Sequence, residues 1–142
     1  MEIGISTASY FPRLLTEDAM DEVARAGAKV GEVFFATHSE YTRDFAAVVK
    51  ERADRGGVRI NSVHALTNQF EPELFGKGLR AHADAITTFT RVCEAGETLG
   101  AKYYVFHGAT RLKPAVKYVF DYGFLAERVN KLCDIAGSHG IT

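Results

Sequence analysis

The chain has 142 residues, a single-domain length, and 46% of them are hydrophobic, enough to bury a sizeable core. A net charge of −1 offers no overall attraction for nucleic acid or an anionic membrane, which argues against both as partners. No apolar run reaches the ~20 residues that span a bilayer, and Met1-Glu2-Ile3-Gly4-Ile5 opens a strand without the basic start of a signal peptide, so the expectation is a soluble, cytoplasmic protein.

Taken in order, Ile3–Thr7 is a short apolar run of the kind found in buried parallel strands. Thr16 follows as an expected N-cap, with Glu17 and Asp18 placing negative charge in the first helical turn. Met20, Val23, Ala24 and Ala26 supply the apolar face and Gly27 the stop. The second unit is a strand over Val30–Phe35 and a helix from about Thr42 to Arg55. Phe45, Val48, Val49 and Ala53 recur there at spacings of three and four, and Gly56-Gly57 ends it.

The third unit begins with a strand over Val58–His64, runs through a long loop to about Gly78, and ends in a helix to Leu99 closed by Gly100. The fourth has a strand over Tyr103–His107, a basic loop, and a helix whose apolar face is Leu125, Val129, Leu132 and Ile135. Gly137 to Gly140 close that helix, and Ile141-Thr142 opens what would be another strand. Cys93 and Cys133 fall among apolar neighbours in helices without CxxC spacing, as buried free thiols would.

Alternating strand and helix imply a parallel sheet with right-handed crossovers. A dinucleotide-binding sheet would need a glycine-rich turn after the first strand, where Ser6-Thr7-Ala8-Ser9-Tyr10 stands instead. The favoured fold class is therefore α/β, a (β/α)8 TIM barrel of about 250 residues, of which this chain holds about the first four βα units. If Thr142 were the terminus, the outer strands would be open edges. Ile5, Val33 or Phe34, and Val105 or Phe106 would then expose an apolar inner face that drives homo-oligomer formation or aggregation.

Two of the expected strands end in histidine, His64 and His107, at the barrel end that carries active sites. Neutral imidazoles from neighbouring strands suit zinc, manganese or cobalt, and they equally suit contact with a substrate. Glu32 is the one acidic residue inside an expected strand, where it would hydrogen-bond a sugar hydroxyl, orient another group or form an internal ion pair. Glu71, Asn68 and Gln69 lie on the long third loop, where solvation competes with a binding role; Glu71 is taken with Glu32 as a candidate substrate contact. Arg111, Lys113 and Lys117 would meet a phosphate or form a solvated basic face. His38, His82 and His139 are expected as unpaired surface or helix residues. Phe34, Phe35, Phe70, Phe75, Phe89 and Phe106 are expected in the core.

The ordered set Ile3-Gly4-Ile5-Ser6-Thr7, Val30-Gly31-Glu32-Val33-Phe34-Phe35, Ile60-Asn61-Ser62-Val63-His64 and Tyr104-Val105-Phe106-His107-Gly108 resembles the xylose-isomerase-like TIM-barrel superfamily. That group holds sugar-phosphate isomerases and epimerases and the endonuclease IV family of DNA-repair enzymes. The resemblance makes residues 1–142 the N-terminal part of a single barrel domain. In the zinc-dependent endonuclease branch, the positions of His64 and His107 ligate metal together with a glutamate ending strand five. In the sugar branch the metal usually rests on residues of strands five to eight, and the two positions more often face substrate.

The resemblance thus implies a metal-dependent sugar or sugar-phosphate isomerase or epimerase. It would take a small carbohydrate and a divalent ion (Mn, Zn, Co or Mg), with acid–base carboxylates beyond Thr142. A zinc phosphodiesterase acting on abasic DNA is the alternative, and an inactive fragment or assembly unit is a third.

Overall fold

The computed structural model describes residues 2–66, 70–108 and 121–142. Strands β1 (Gly4–Ser6), β2 (Val30–Phe35), β3 (Arg59–Ala65) and β4 (Tyr103–Val105) pair in that order, each parallel to the next. Between and after them run helices α1 (Thr16–Arg25), α2 (Arg43–Arg55), the single turn α3 (Glu71–Leu74), α4 (Leu79–Leu99) and α5 (Tyr122–Ser138). A doubly wound sheet reverses its strand order at a switch point. Here every strand lies beside its sequence neighbour, which is the winding of a barrel. Asn68, Gln69, Arg111, Lys113 and Lys117 lie outside the described residues.

The core forms where the helices cover one face of the sheet. Val33, Phe35, Val63 and Ala65 are fully buried on that face, packed with Met20 and Val23 of α1, Val49 of α2 and Val92 of α4. The other face carries Ser6, Glu32 and Ser62 at matched register positions, a polar layer beside Phe34 where an apolar surface was expected. Val33 is fully buried and Phe34 is 7% exposed. Val33 is turned to the helices, and Phe34, which shares the face of Glu32, is covered by the rings of Phe11 and His64.

Several local expectations are corrected by tertiary contacts. Leu15, not Thr16, occupies the N-cap of α1. Thr16 is the first helical residue, buried, with its hydroxyl 3.1 Å from the Phe34 carbonyl oxygen and 3.2 Å from the Glu40 carboxylate. A bond to the sheet has displaced a cap. Thr42 does cap α2, accepting from the Phe45 amide.

Val48 is 46% exposed and Ala46 takes its place in the buried stripe of α2; Ala26 is likewise exposed, past the last turn of α1. Cys93 is buried but Cys133 is exposed. The other histidines have partners after all. His82 is 8% exposed, with Nδ1 3.4 Å from the Glu73 carbonyl oxygen and Nε2 accepting from Arg128. His139 faces Glu97 at 3.1 Å, and the His38 ring packs on Tyr41.

Both outer strands are shorter than the apolar runs that encode them. β1 stops at Ser6 because Thr7 enters a 3-10 turn and turns its hydroxyl to accept from the Phe34 amide at 2.8 Å. β4 stops at Val105, and the amide of His107 donates to the Glu71 carboxylate at 3.4 Å. Past α5, Thr142 donates to the Lys102 carbonyl oxygen (2.8 Å) and accepts from the Tyr104 amide (3.0 Å), the bonding of a further parallel strand beside β4.

Candidate functional site

The decisive local feature is a slip of register in the middle of the sheet. Gly31 pairs with Ile60, but Glu32 pairs with Ser62, so Asn61 is an extra residue in β3. Strand side chains alternate between faces, and without the slip Ser62 and His64 would share the helix face with Ile60. The bulge turns them to the inner face, opposite Glu32 and Phe34.

On that face, at the carboxyl end of the strands, the rings of His64 and His107 stand with centroids 4.9 Å apart and planes inclined by 36°. His64 is the next-to-last residue of β3, and its register partner in β4 is Val105, two residues before His107. The two residues that end these apolar runs are therefore neighbours in space. Phe34 packs edge-on against His64 at 5.0 Å, and Phe11, 45% exposed, packs edge-on against Phe34 at 5.4 Å.

Each imidazole has a carboxylate facing its Nδ1. Glu32 lies 3.6 Å from His64 and accepts from the hydroxyls of Ser6 (2.8 Å) and Ser62 (3.0 Å). His64 beside it, and the two hydroxyls, outweigh the desolvation and hold its carboxyl down at about 2. Glu71 lies 3.2 Å from His107 and also accepts from the Tyr104 hydroxyl at 3.1 Å. It has no solvent exposure, so the expectation of a solvated loop carboxylate is overturned. Burial pushes its pKa up, against the pull of His107 and Tyr104.

Glu32, His64, His107 and Glu71 thus come together, and Ser6, Ser62, Tyr104 and Phe11 join them without having been singled out from sequence. Ser6 and Ser62 had a weak signal in strand alternation. Tyr104 and Phe11 had none, since their roles depend on tertiary approach. Among the described residues no group of three or more His, Cys, Asp or Glu side chains is arranged to hold a metal ion. No described helix is long and apolar enough to cross a membrane.

A family model described as xylose isomerase-like TIM barrel matches residues 20–142. No curated protein matches the chain. Among solved structures, a D-psicose 3-epimerase in the presence of D-fructose is 18% identical with a TM-score of 0.75, over 100% of this chain and 50% of that one. D-psicose 3-epimerase from Clostridium cellulolyticum H10 with D-tagatose is 17% identical, TM-score 0.74, over 99% and 50%. 3-Keto-D-glucoside 4-epimerase from E. coli is 16% identical, TM-score 0.73, over 100% and 54%. The chain spans about half the length of these structures, and identities this low show a shared fold.

Proposed function

The chain belongs to the xylose isomerase-like TIM-barrel family, and from that premise we propose that it forms part of a sugar or sugar-phosphate isomerase or epimerase. The observation that carries the reading is the contact of His64 with His107 at the carboxyl end of adjacent parallel strands, each ring facing a carboxylate. Residues at this end of barrel strands serve chemistry. The likeness to three sugar epimerases in fold supports the substrate class.

The inner face of the sheet offers both surfaces a sugar needs. Glu32, with its side chain 24% exposed, presents an anionic acceptor for a sugar hydroxyl. Phe11 and Phe34 provide an apolar wall for the C–H face of the ring. His64 and His107 contact the substrate and hold two positions of a divalent ion (Mn, Zn, Co or Mg), whose other ligands come from strands this chain does not span. Their chemistry fits that role: a carboxylate facing Nδ1 favours the proton there and leaves the lone pair on Nε2, the arrangement found behind metal-bound imidazoles. A bound ion would polarise the sugar carbonyl and its neighbouring hydroxyl.

The test is a panel of ketohexoses, ketopentoses and their phosphates, incubated with the full-length protein in D2O with each ion and followed by NMR. Epimer or isomer formation with deuterium at the exchanged carbon, or without it for a hydride shift, is the expected result. An abasic-DNA duplex runs in parallel. Cleavage of that duplex with no sugar turnover would replace this reading with the phosphodiesterase, and inactivity on both would leave an assembly unit.

A further inference from the structure

A buried carboxylate is costly, and in proteins it is usually matched by arginine or lysine or by several hydrogen bonds. Glu71 has zero exposure and lies at the start of α3, and among the described residues the basic group that faces it is the imidazole of His107. Its Oε1 accepts from the Tyr104 hydroxyl at 3.1 Å, and its Oε2 accepts from the His107 amide at 3.4 Å and lies 3.2 Å from Nδ1 of the same residue. Tyr104 is in turn fixed from the other side by the ring of Phe89 at 5.1 Å. Three groups from β4 and the loop after it, the Tyr104 hydroxyl and the amide and ring of His107, converge on one carboxylate of α3 that solvent does not reach.

We infer that Glu71, steadied by Tyr104, is a positioning residue for His107: it pins the imidazole proton on Nδ1 and so keeps the lone pair on Nε2. This rests on His107 being a site residue, and it replaces direct substrate contact by Glu71 with action through the ring. The bond to the His107 amide fixes the backbone at the point where β4 ends, so the same carboxylate sets both the position of the ring and its tautomer. Neutral imidazole otherwise prefers its proton on Nε2. Retention of the rarer form is therefore an effect that mere filling of the space under the loop would not produce.

Long-range proton–nitrogen NMR of the full chain, with labelled histidine, reads the tautomer without any substrate. The wild type is expected to show neutral His107 protonated on Nδ1; a neutral His107 protonated on Nε2 overturns the inference. The double variant Glu71→Met, Tyr104→Phe keeps the volume, removes the acceptor and leaves no orphaned hydroxyl. It should fold, move the proton to Nε2, and lower kcat by about 10–100-fold with little change in KM.

Glu71→Gln should rescue most of the loss, because the amide can turn its oxygen to the ring and its NH2 to Tyr104. An unchanged tautomer in the double variant also overturns the inference, and if that variant fails to fold, the wild-type spectrum alone decides. The displaced proton in a variant that turns over no sugar would sustain the positioning role while sinking the sugar assignment, so the two failures remain distinct.

Discussion

Glu32 and Ser62 meet across β2 and β3 at 3.0 Å only because the register slips by one residue after Gly31. The extra residue, Asn61, changes which side chains of β3 face inward, and His64 follows Ser62 by two positions on the same face. A polar layer is built beneath the paired imidazoles: Ser6 and Ser62 hold Glu32, and Glu32 faces His64. The bulge connects an ordinary parallel sheet to its candidate site.

Replacing His64 and His107 together with alanine should lower kcat/KM by on the order of a hundredfold or more while leaving the circular-dichroism spectrum and the cooperativity of melting intact. Both side chains sit at the functional end of the strands, partly exposed at 19% and 36%, away from the helix-covered core. Loss of the folded signal in the double variant would assign the two residues a structural role.

If the two imidazoles hold part of an ion site, millimolar Mn, Co or Zn should raise the melting temperature of the full-length protein. A ligand at a hundred times its Kd stabilises the folded state by about 2.7 kcal/mol. The double alanine variant should lose most of that response. Equal stabilisation of both proteins would place the ion elsewhere.

The repeating units were legible because each rests on local chemistry: apolar runs of strand length, helices with one buried stripe, and glycines beyond their last turns. Gly27, Gly57, Gly100 and Gly140 all adopt positive φ, as that pattern requires. His64 and His107 were legible from equivalent places in the repeat. What sequence did not disclose depends on contacts between distant segments. Thr16 serves the sheet instead of capping α1, the bulge at Asn61 has no composition cue, and Glu71 looked like a loop carboxylate until α3 and the Tyr104 hydroxyl buried it. Val48 has the right spacing for the core but lies on the solvent edge of its stripe.

Gly56→Ala tests the approach of α1 to α2. A Cβ built at Gly56 would stand 2.5 Å from the Cβ of Ala24, an atom that cannot move without its helix. The helix-propensity gain from alanine is about 1 kcal/mol or less at a helix end, whereas overpacking costs about 1–3 kcal/mol. The variant should therefore melt several degrees lower with unchanged activity. A higher melting temperature would show that the two helices separate freely.

Glu32 supplies the last test, through the dependence of stability on pH. Its carboxyl is held at about 2 in the folded protein, below the ordinary 4.5, by His64 and the hydroxyls of Ser6 and Ser62. Between these values the unfolded chain binds the proton that the folded chain refuses, so stability rises with pH there. The contribution is fully present above about pH 4.5 and is lost as the pH falls through 2. Glu32→Gln keeps the size and an acceptor oxygen but removes the titration. The variant should be less stable than the wild type at pH 7, and the gap in melting temperature should narrow steadily from pH 4.5 to pH 2. A gap that stays constant over that range would mean that Glu32 is not the charged centre of the inner face.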